Sequence, residues 1–321
     1  MLESAFYCVA NARHFLGAVA LVNSLRLNGH EEPIFVGDCG LAPAQRDFLA
    51  REATVLETEP AASAHLLKWC VPRRHPARVA VLLDADLIVT RSLAPLLDEG
   101  GAGRFAAFAD PVSNRFHSEW EDLPGLGPIR RHRYANAGVI VLPSHRGDEI
   151  LDLVERGQAT MDVELTASRG GTSSYPFYFA DQDVWNAVFG ARLEPDELCV
   201  LPAQLAPHPP FAGLRLLSPT GLDCAYADGV RPFVLHHVAR KPWLEATPHN
   251  LYARLMQRLL TAPDLPLRLD EHQVPRRFRD GPLGSAERGR VAIGAFIWSH
   301  RGRLGLRRRL ASVRARKVWA V

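Results

Sequence analysis

The 321-residue chain has no CxxC pair; its five cysteines, Cys8, Cys39, Cys70, Cys199 and Cys224, are scattered. An odd, unspaced set argues against a disulfide framework or a zinc knuckle, and a reducing compartment is the simplest expectation. Long apolar runs are also missing. The longest uncharged apolar stretch of the tail, VAIGAFIW at 291–298, falls far short of the roughly 20 residues that span a bilayer. The opening MLESAFYCVA places Glu3 where a secretory signal would carry positive charge, so no signal peptide is expected. No internal repeat is visible.

What is present reads as an ordinary globular protein. Hydrophobic residues make up 47% and charged residues 23%, enough at this length to bury a sizeable core. The net charge of +3 is unevenly placed. Residues 286–321 carry ten Arg or Lys against Glu287 alone, a charge of +9. The remaining 28 basic and 34 acidic residues give the body −6. An acidic body with a basic appendage predicts an anionic partner for the appendage.

Along the first 90 residues strands alternate with helices. Strands are expected at 5–10, 34–38 and 54–57 and over the run RVAVLLDADLIV at 78–89. Helices are expected at 14–29, stopped by Gly29, at 42–51, and at 63–71, begun by Ser63 and ended by Pro72. This alternation predicts a mainly parallel sheet covered by helices. Further on, strands are expected at 136–142 and 231–238, and helices at 148–161, 181–190 (Asp181 as N-cap) and 250–260. Two long polar loops, 111–134 and 168–180, are candidates for function. The organisation expected is a domain over 1–260, a Pro-rich linker over 261–285 and a basic tail over 286–321.

The sharpest feature is Asp84-Ala85-Asp86 inside the apolar run VAVLLDADLIVT. In an extended segment the two carboxylates point the same way and Ala85 points oppositely. Carboxyl ends of strands are where open α/β sheets bind ligands. Two converging carboxylates repel unless a cation joins them, and hard oxygen ligands suit Mg²⁺ or Mn²⁺. Two acids in solvent after a strand are the plainer reading.

Other segments bear on that choice. CVANARHFLGAVALVNSLR, HLLKWCVPRRHPARVAVLLDADLIV, ANAGVIVL, ADQDVWN and LHHVARKPW occur in this order over residues 5–243. Together they resemble the motifs of glycosyltransferase family 8, the group of glycogenin and the bacterial lipopolysaccharide galactosyltransferases. The resemblance implies an α/β GT-A fold, a Rossmann-like mainly parallel sheet flanked by helices, here with a basic C-terminal extension. It implies a retaining enzyme that moves a hexose, glucose or galactose, from a UDP-sugar to a hydroxyl of a glycan or lipid-linked acceptor. By the same resemblance Asp84, Asp86 and His236 hold Mn²⁺ (or Mg²⁺) on the diphosphate, with His237 the alternative to His236. Lys241 acts on the leaving diphosphate, Asn11 and His14 on uracil, and Lys68 on the donor. Asn136, Asp181 and Gln182 correspond to residues that hydrogen-bond the transferred sugar, and Asp183 stays in the first helical turn. Between His236 and Lys241 the chain has five steps where the family has six, and Val238 or Ala239 where it has glycine.

Rival readings are a sugar-nucleotide hydrolase, a nucleotidyltransferase, and a non-catalytic protein that binds membrane or nucleic acid through its tail. CVANARH at the first strand lacks the Gly-rich, basic nucleotide loop of a nucleotidyltransferase. The tail has few aromatics between its charges (Phe296, Trp298, Trp319), and an acidic body repels nucleic acid, so none is expected as a partner. Leu306, Leu310 and Val313 at helical spacing, with Arg303, Arg307 and Arg314 on another side, predict a basic amphipathic helix. Ile293, Phe296, Ile297 and Trp298 precede it as apolar anchors. Such a helix lies on an anionic membrane, so a peripheral cytoplasmic location at the inner membrane face is expected.

Overall fold

The computed structural model describes residues 1–58, 64–111, 114–218, 220–238, 240–245, 250–279, 282, 284–290 and 293. Ser63, Ala239, the anchors Phe296, Ile297 and Trp298, and the predicted basic helix all lie outside the described residues.

β1 (Leu2–Ala10) leads through α1 (Phe15–Leu27) to β2 (Ile34–Asp38), α2 (Pro43–Leu49) and β3 (Thr54–Glu57). α3 (Cys70–Arg74), β4 (Ala77–Leu83), β5 (Leu87–Val89), α4 (Ala94–Gly101) and β6 (Phe105–Ala109) follow. After a long loop come β7 (Ala135–Pro143), α5 (Ser144–Ala159), α6 (Asp181–Arg192) and β8 (Leu198–Leu201). β9 (Arg215–Leu216), β10 (Cys224–Ala225), β11 (Val234–His236) and α7 (Leu251–Thr261) complete the order.

Seven strands form the central sheet in the order β3-β2-β1-β4-β7-β6-β8. β1 pairs in parallel with β2 and β4, and so do β2 with β3 and β6 with β8. β7 runs antiparallel to both of its neighbours. The sheet is therefore mostly parallel, as expected from the alternating pattern. Period-two alternation divides β1 between two cores. Phe6, Cys8 and Ala10 face the layer of α1, α4 and α7, while Ala5, Tyr7 and Val9 face that of α3, α5 and α6. The Pro-rich stretch after α7 lies on the first layer. Its Leu265, Leu267, Leu269, Val274 and Phe278 are buried there, and Asn23 bonds the backbone of Leu267 in both directions.

The structure corrects three expectations on the way to the site. The run 78–89 is two strands, because Ala85-Asp86 makes a turn and β5 leaves the main sheet to pair with β11. Pro72 does not end a helix: it sits in the first turn of α3, where a missing N–H costs nothing. Asp181 is the first residue of α6 and not its cap; the cap position is Ala180, in the left-handed region at φ 52°. A non-glycine residue there stores strain, immediately beside a buried carboxylate.

The chain turns from β1 to β2 and β3 on one side and returns to β4 on the other. That topological switch point is where a doubly wound sheet opens a crevice. Asn11 and His14 follow β1 there, and Asp84 and Asp86 follow β4.

Candidate active site

The turn after β4 is held by its backbone. The Asp84 amide donates to Gly138 O (2.9 Å), and Leu87 N to Asp84 O (3.2 Å). Asp86 O accepts from His237 N (3.2 Å) and from the Tyr252 hydroxyl (2.9 Å). α1 presses on the same turn through Gly17. A Cβ on Gly17 would stand 2.2 Å from Ala85 O and 2.8 Å from the Trp243 ring, so only glycine fits. Trp243 in turn donates its indole N–H to Arg13 O (2.8 Å), which ties the Lys-Pro-Trp segment to the start of α1.

Although Asp84 and Asp86 flank a turn and not an extended residue, their carboxylates still converge. β11 is registered so that His236 lies opposite Leu87. Its Nε2 is 3.5 Å from Asp84 Oδ2 and 3.2 Å from Asp86 Oδ1. One ligand atom from each of the three lies within 4.8 Å of the others. His236 owes its position to Gly138, where a Cβ would be 2.3 Å from His236 Cε1. His237 points elsewhere: its ring packs on Tyr252 (centroids 4.8 Å apart) and Phe211 (5.9 Å). Among the described residues neither His237 ring nitrogen has a hydrogen-bond partner.

Two lysines close the cluster. Lys68, 3% exposed, donates to Asp84 Oδ1 (2.8 Å) and Ala137 O (2.9 Å) and lies 2.9 Å from Asp181 Oδ2. The first two are hydrogen bonds and the third is an ion pair, since Asp181 Oδ2, buried, has no hydrogen bond among the described residues. Lys241 bonds Asp86 Oδ2 and His237 O, which leaves it one N–H. Burial disfavours the charged forms of Asp84, Asp86, His236 and Lys68, yet the field of their neighbours outweighs it. Lys68 and His236 hold Asp84 down at about 2, and Lys241 and His236 hold Asp86 well below the usual carboxylate range. The two aspartates raise His236 to about 9, and Asp181 and Asp84 raise Lys68. Burial, followed by the Lys241 charge, lowers His237 to about 4.

Beside this cluster lies a rigid amide network. Gln182 Oε1 accepts from Asn136 Nδ2 (2.9 Å) and Ala137 N (3.2 Å). Asp110 Oδ2 accepts from both Asn136 Nδ2 and Gln182 Nε2, each at 3.2 Å. Asp183 sits in the first turn of α6, where the helix dipole favours an acid, and is fully buried. It accepts from Tyr134 Oη (2.6 Å), Arg115 Nε (3.1 Å) and Phe179 N (2.7 Å). Arg115 also donates to Ser173 O and Tyr175 O, and Trp120 to Pro176 O, so the two long loops pack on one another.

Just after β1, Asn11 Oδ1 accepts from Arg13 N (3.1 Å) and His14 N (3.2 Å), the turn-capping role open to asparagine. The His14 ring meets Trp243 edge-on, 6.4 Å between centroids. The structure thus gathers Asp84, Asp86, His236, Lys68, Lys241 and Asp181 into one cluster, with Asn136 and Gln182 adjoining it. Sequence reasoning passed over Asp110, His208, Arg115 and Tyr252. Asp110 carried a usable signal, since it follows the apolar run FAAFA as Asp84 follows VAVLL. The other three carried none.

The mostly parallel seven-stranded sheet flanked by helices has the GT-A fold. Comparison with solved structures places it beside two sugar-transferring proteins. One is the galactosyltransferase LgtC, solved with donor and acceptor sugar analogs. It is 20% identical over 81% of this chain and 98% of its own, with a TM-score of 0.51; an active-site mutant of LgtC gives 18% and 0.52. The other is the bifunctional glycosyltransferase WbbM, 16% identical over 82% of this chain and 50% of its own, with a TM-score of 0.52. No protein-family profile and no curated protein matches the chain.

Proposed function

We propose that this chain is a retaining glycosyltransferase of family 8 that transfers a hexose from a UDP-sugar to a hydroxyl of a glycan or glycolipid, with Mn²⁺ or Mg²⁺ on Asp84, Asp86 and His236. The observation that carries the reading is the convergence of these three side chains, with Lys68 and Lys241, at the switch point of a GT-A sheet. The donor set fits such an ion. Two carboxylates and an imidazole suit Mn²⁺, and Asp86 Oδ1, buried, has no hydrogen bond among the described residues. When bound, the ion offsets charge that develops on the departing diphosphate. Lys241 supplies a second positive charge through its unused N–H. Asn136, Gln182 and Asp110 present a preformed polar wall to the sugar, and their mutual bonds keep it from reorganising. Asn11 and His14, just after β1, are suited to the base.

The test is UDP release from UDP-glucose and UDP-galactose, with Mn²⁺ and with chelator. Metal-dependent release with at least one donor is expected, and an α-linkage in proton NMR of the glycoside product. No release from either donor in Mn²⁺, or a β-linkage, rejects the reading. A companion test uses Gly138→Ala. Its methyl group displaces His236, and Mn²⁺ affinity measured by calorimetry is expected to fall about 10- to 100-fold, as when a metal ligand loses its support. Unchanged affinity would show that His236 is no ligand.

The basic tail supports a membrane role for the same enzyme, on the cytoplasmic face, with a lipid-linked or envelope glycan as acceptor. Each Lys or Arg near an anionic surface contributes about 1 kcal/mol, so several hold the acidic body there. Removing residues 286–321 is expected to abolish sedimentation with phosphatidylserine vesicles and to preserve UDP-sugar hydrolysis in solution. Full-length protein that ignores such vesicles at low salt would end the membrane assignment and leave the transferase reading standing.

A further inference from the structure

We infer that His208 is a further donor-sugar contact, whose Nε2 hydrogen-bonds a hydroxyl of the hexose being transferred; this rests on the function proposed above. His208 lies in the loop between β8 and β9, and β11 fixes that loop by its backbone. Phe233 N donates to Leu205 O (2.8 Å), and His236 N to Pro207 O (3.1 Å). The His208 ring therefore stands at right angles to the His236 ring, with centroids 5.1 Å apart. It lies within the fields of His236, Asp86 and Lys241 on the metal side and of Asp110 in the amide network. It thus stands beside His236, in the group suited to the diphosphate, with Asp110 of the amide network near enough to act on it through its charge.

The second observation is the state of Nε2. It is buried and, among the described residues, has no hydrogen-bond partner. A buried polar atom left unpaired costs free energy comparable to a lost hydrogen bond. A leucine or phenylalanine would wedge His236 equally well without that penalty. In either tautomer Nε2 has capacity for one bond to a hydroxyl, such as a hexose held near Asp110 would offer.

Calorimetry in saturating Mn²⁺ separates the possibilities, with UDP, UDP-glucose and UDP-galactose as probes. His208→Phe keeps a ring against His236, and His208→Asn keeps a polar atom; circular dichroism checks that both fold. The expected result is that His208→Phe weakens binding of a UDP-sugar about threefold to tenfold, the range of one net hydrogen bond. Its binding of UDP and of Mn²⁺ should stay within about twofold of wild type, and His208→Asn should recover part of the loss. Equal losses for UDP and UDP-sugar, or weaker Mn²⁺ binding, would show that His208 only supports His236. Unchanged UDP-sugar binding would overturn the assignment too. Wild-type protein that binds neither UDP nor UDP-sugar would instead remove the transferase reading beneath it, an outcome visible before any variant is made.

Discussion

Asp86→Ala is expected to lower metal-dependent turnover at least about a thousandfold in a protein that still folds. Charge stabilisation by a bound ion is worth several kcal/mol, and each 1.36 kcal/mol is about a factor of ten in rate. Folding should survive because the two backbone contacts that hold the turn at this residue remain. Asp86 O receives Tyr252 Oη and His237 N, neither of which needs the carboxylate. What goes with the side chain is the oxygen facing His236 at 3.2 Å and the counter-charge of Lys241. Mn²⁺ binding followed by electron paramagnetic resonance should weaken in parallel, a readout independent of turnover. His236→Ala should behave in the same way. His237→Ala should be milder, since that ring lies on Tyr252 and Phe211 and not on the carboxylates. Full activity of folded Asp86→Ala in chelator would remove the metal from the mechanism.

Legibility of this site in the sequence followed the range of the interactions. β1, β2 and β4 are buried on both faces, so each reads as a continuous apolar run. β8, LCVL, is short and half-buried and α4 ends in two glycines, so neither length nor period marks them, whereas β6, FAAFA, is an apolar run as long as β2 and was open to reading. The paired aspartates were legible as chemistry, because carboxylates inside an apolar run need a cation. Their backbone was not. What breaks the strand at Asp84 is the pairing of Leu87–Val89 with Val234–His236, some 150 residues away. The choice between His236 and His237 is likewise set by register with β5 and by the space that Gly138 leaves. The role of Lys68 was the least legible. Nothing local to HLLKWC says that its ammonium would meet Asp84, Ala137 and Asp181 at once.

That three-way contact yields the second large expected effect. If Lys68 contacted the donor alone, Lys68→Met would raise the KM for UDP-sugar and leave the melting temperature unchanged. In the structure it hydrogen-bonds Asp84 and Ala137 O and forms an ion pair with Asp181, so it joins the two carboxylates. Methionine fills the aliphatic stem and removes the charge, leaving Asp84 and Asp181 without the cation they share. Breaking a buried pair by removing one partner costs about 3–5 kcal/mol. The Asp84 side chain is 26% exposed, so the lower end applies, roughly 3 kcal/mol, or about 4–5 °C in Tm for a chain of this length. Turnover should fall about 100-fold or more, since displacing a reacting group by about 1 Å can cost that much. Lys68→Arg should not rescue it, because a planar guanidinium fork does not reproduce one compact charge set among Asp84, Ala137 O and Asp181. Adding Asp181→Asn to Lys68→Met should restore part of the stability and none of the activity, a coupling expected of residues in direct contact. A Lys68→Met protein with wild-type Tm and only a raised KM would return Lys68 to the role of a simple donor contact.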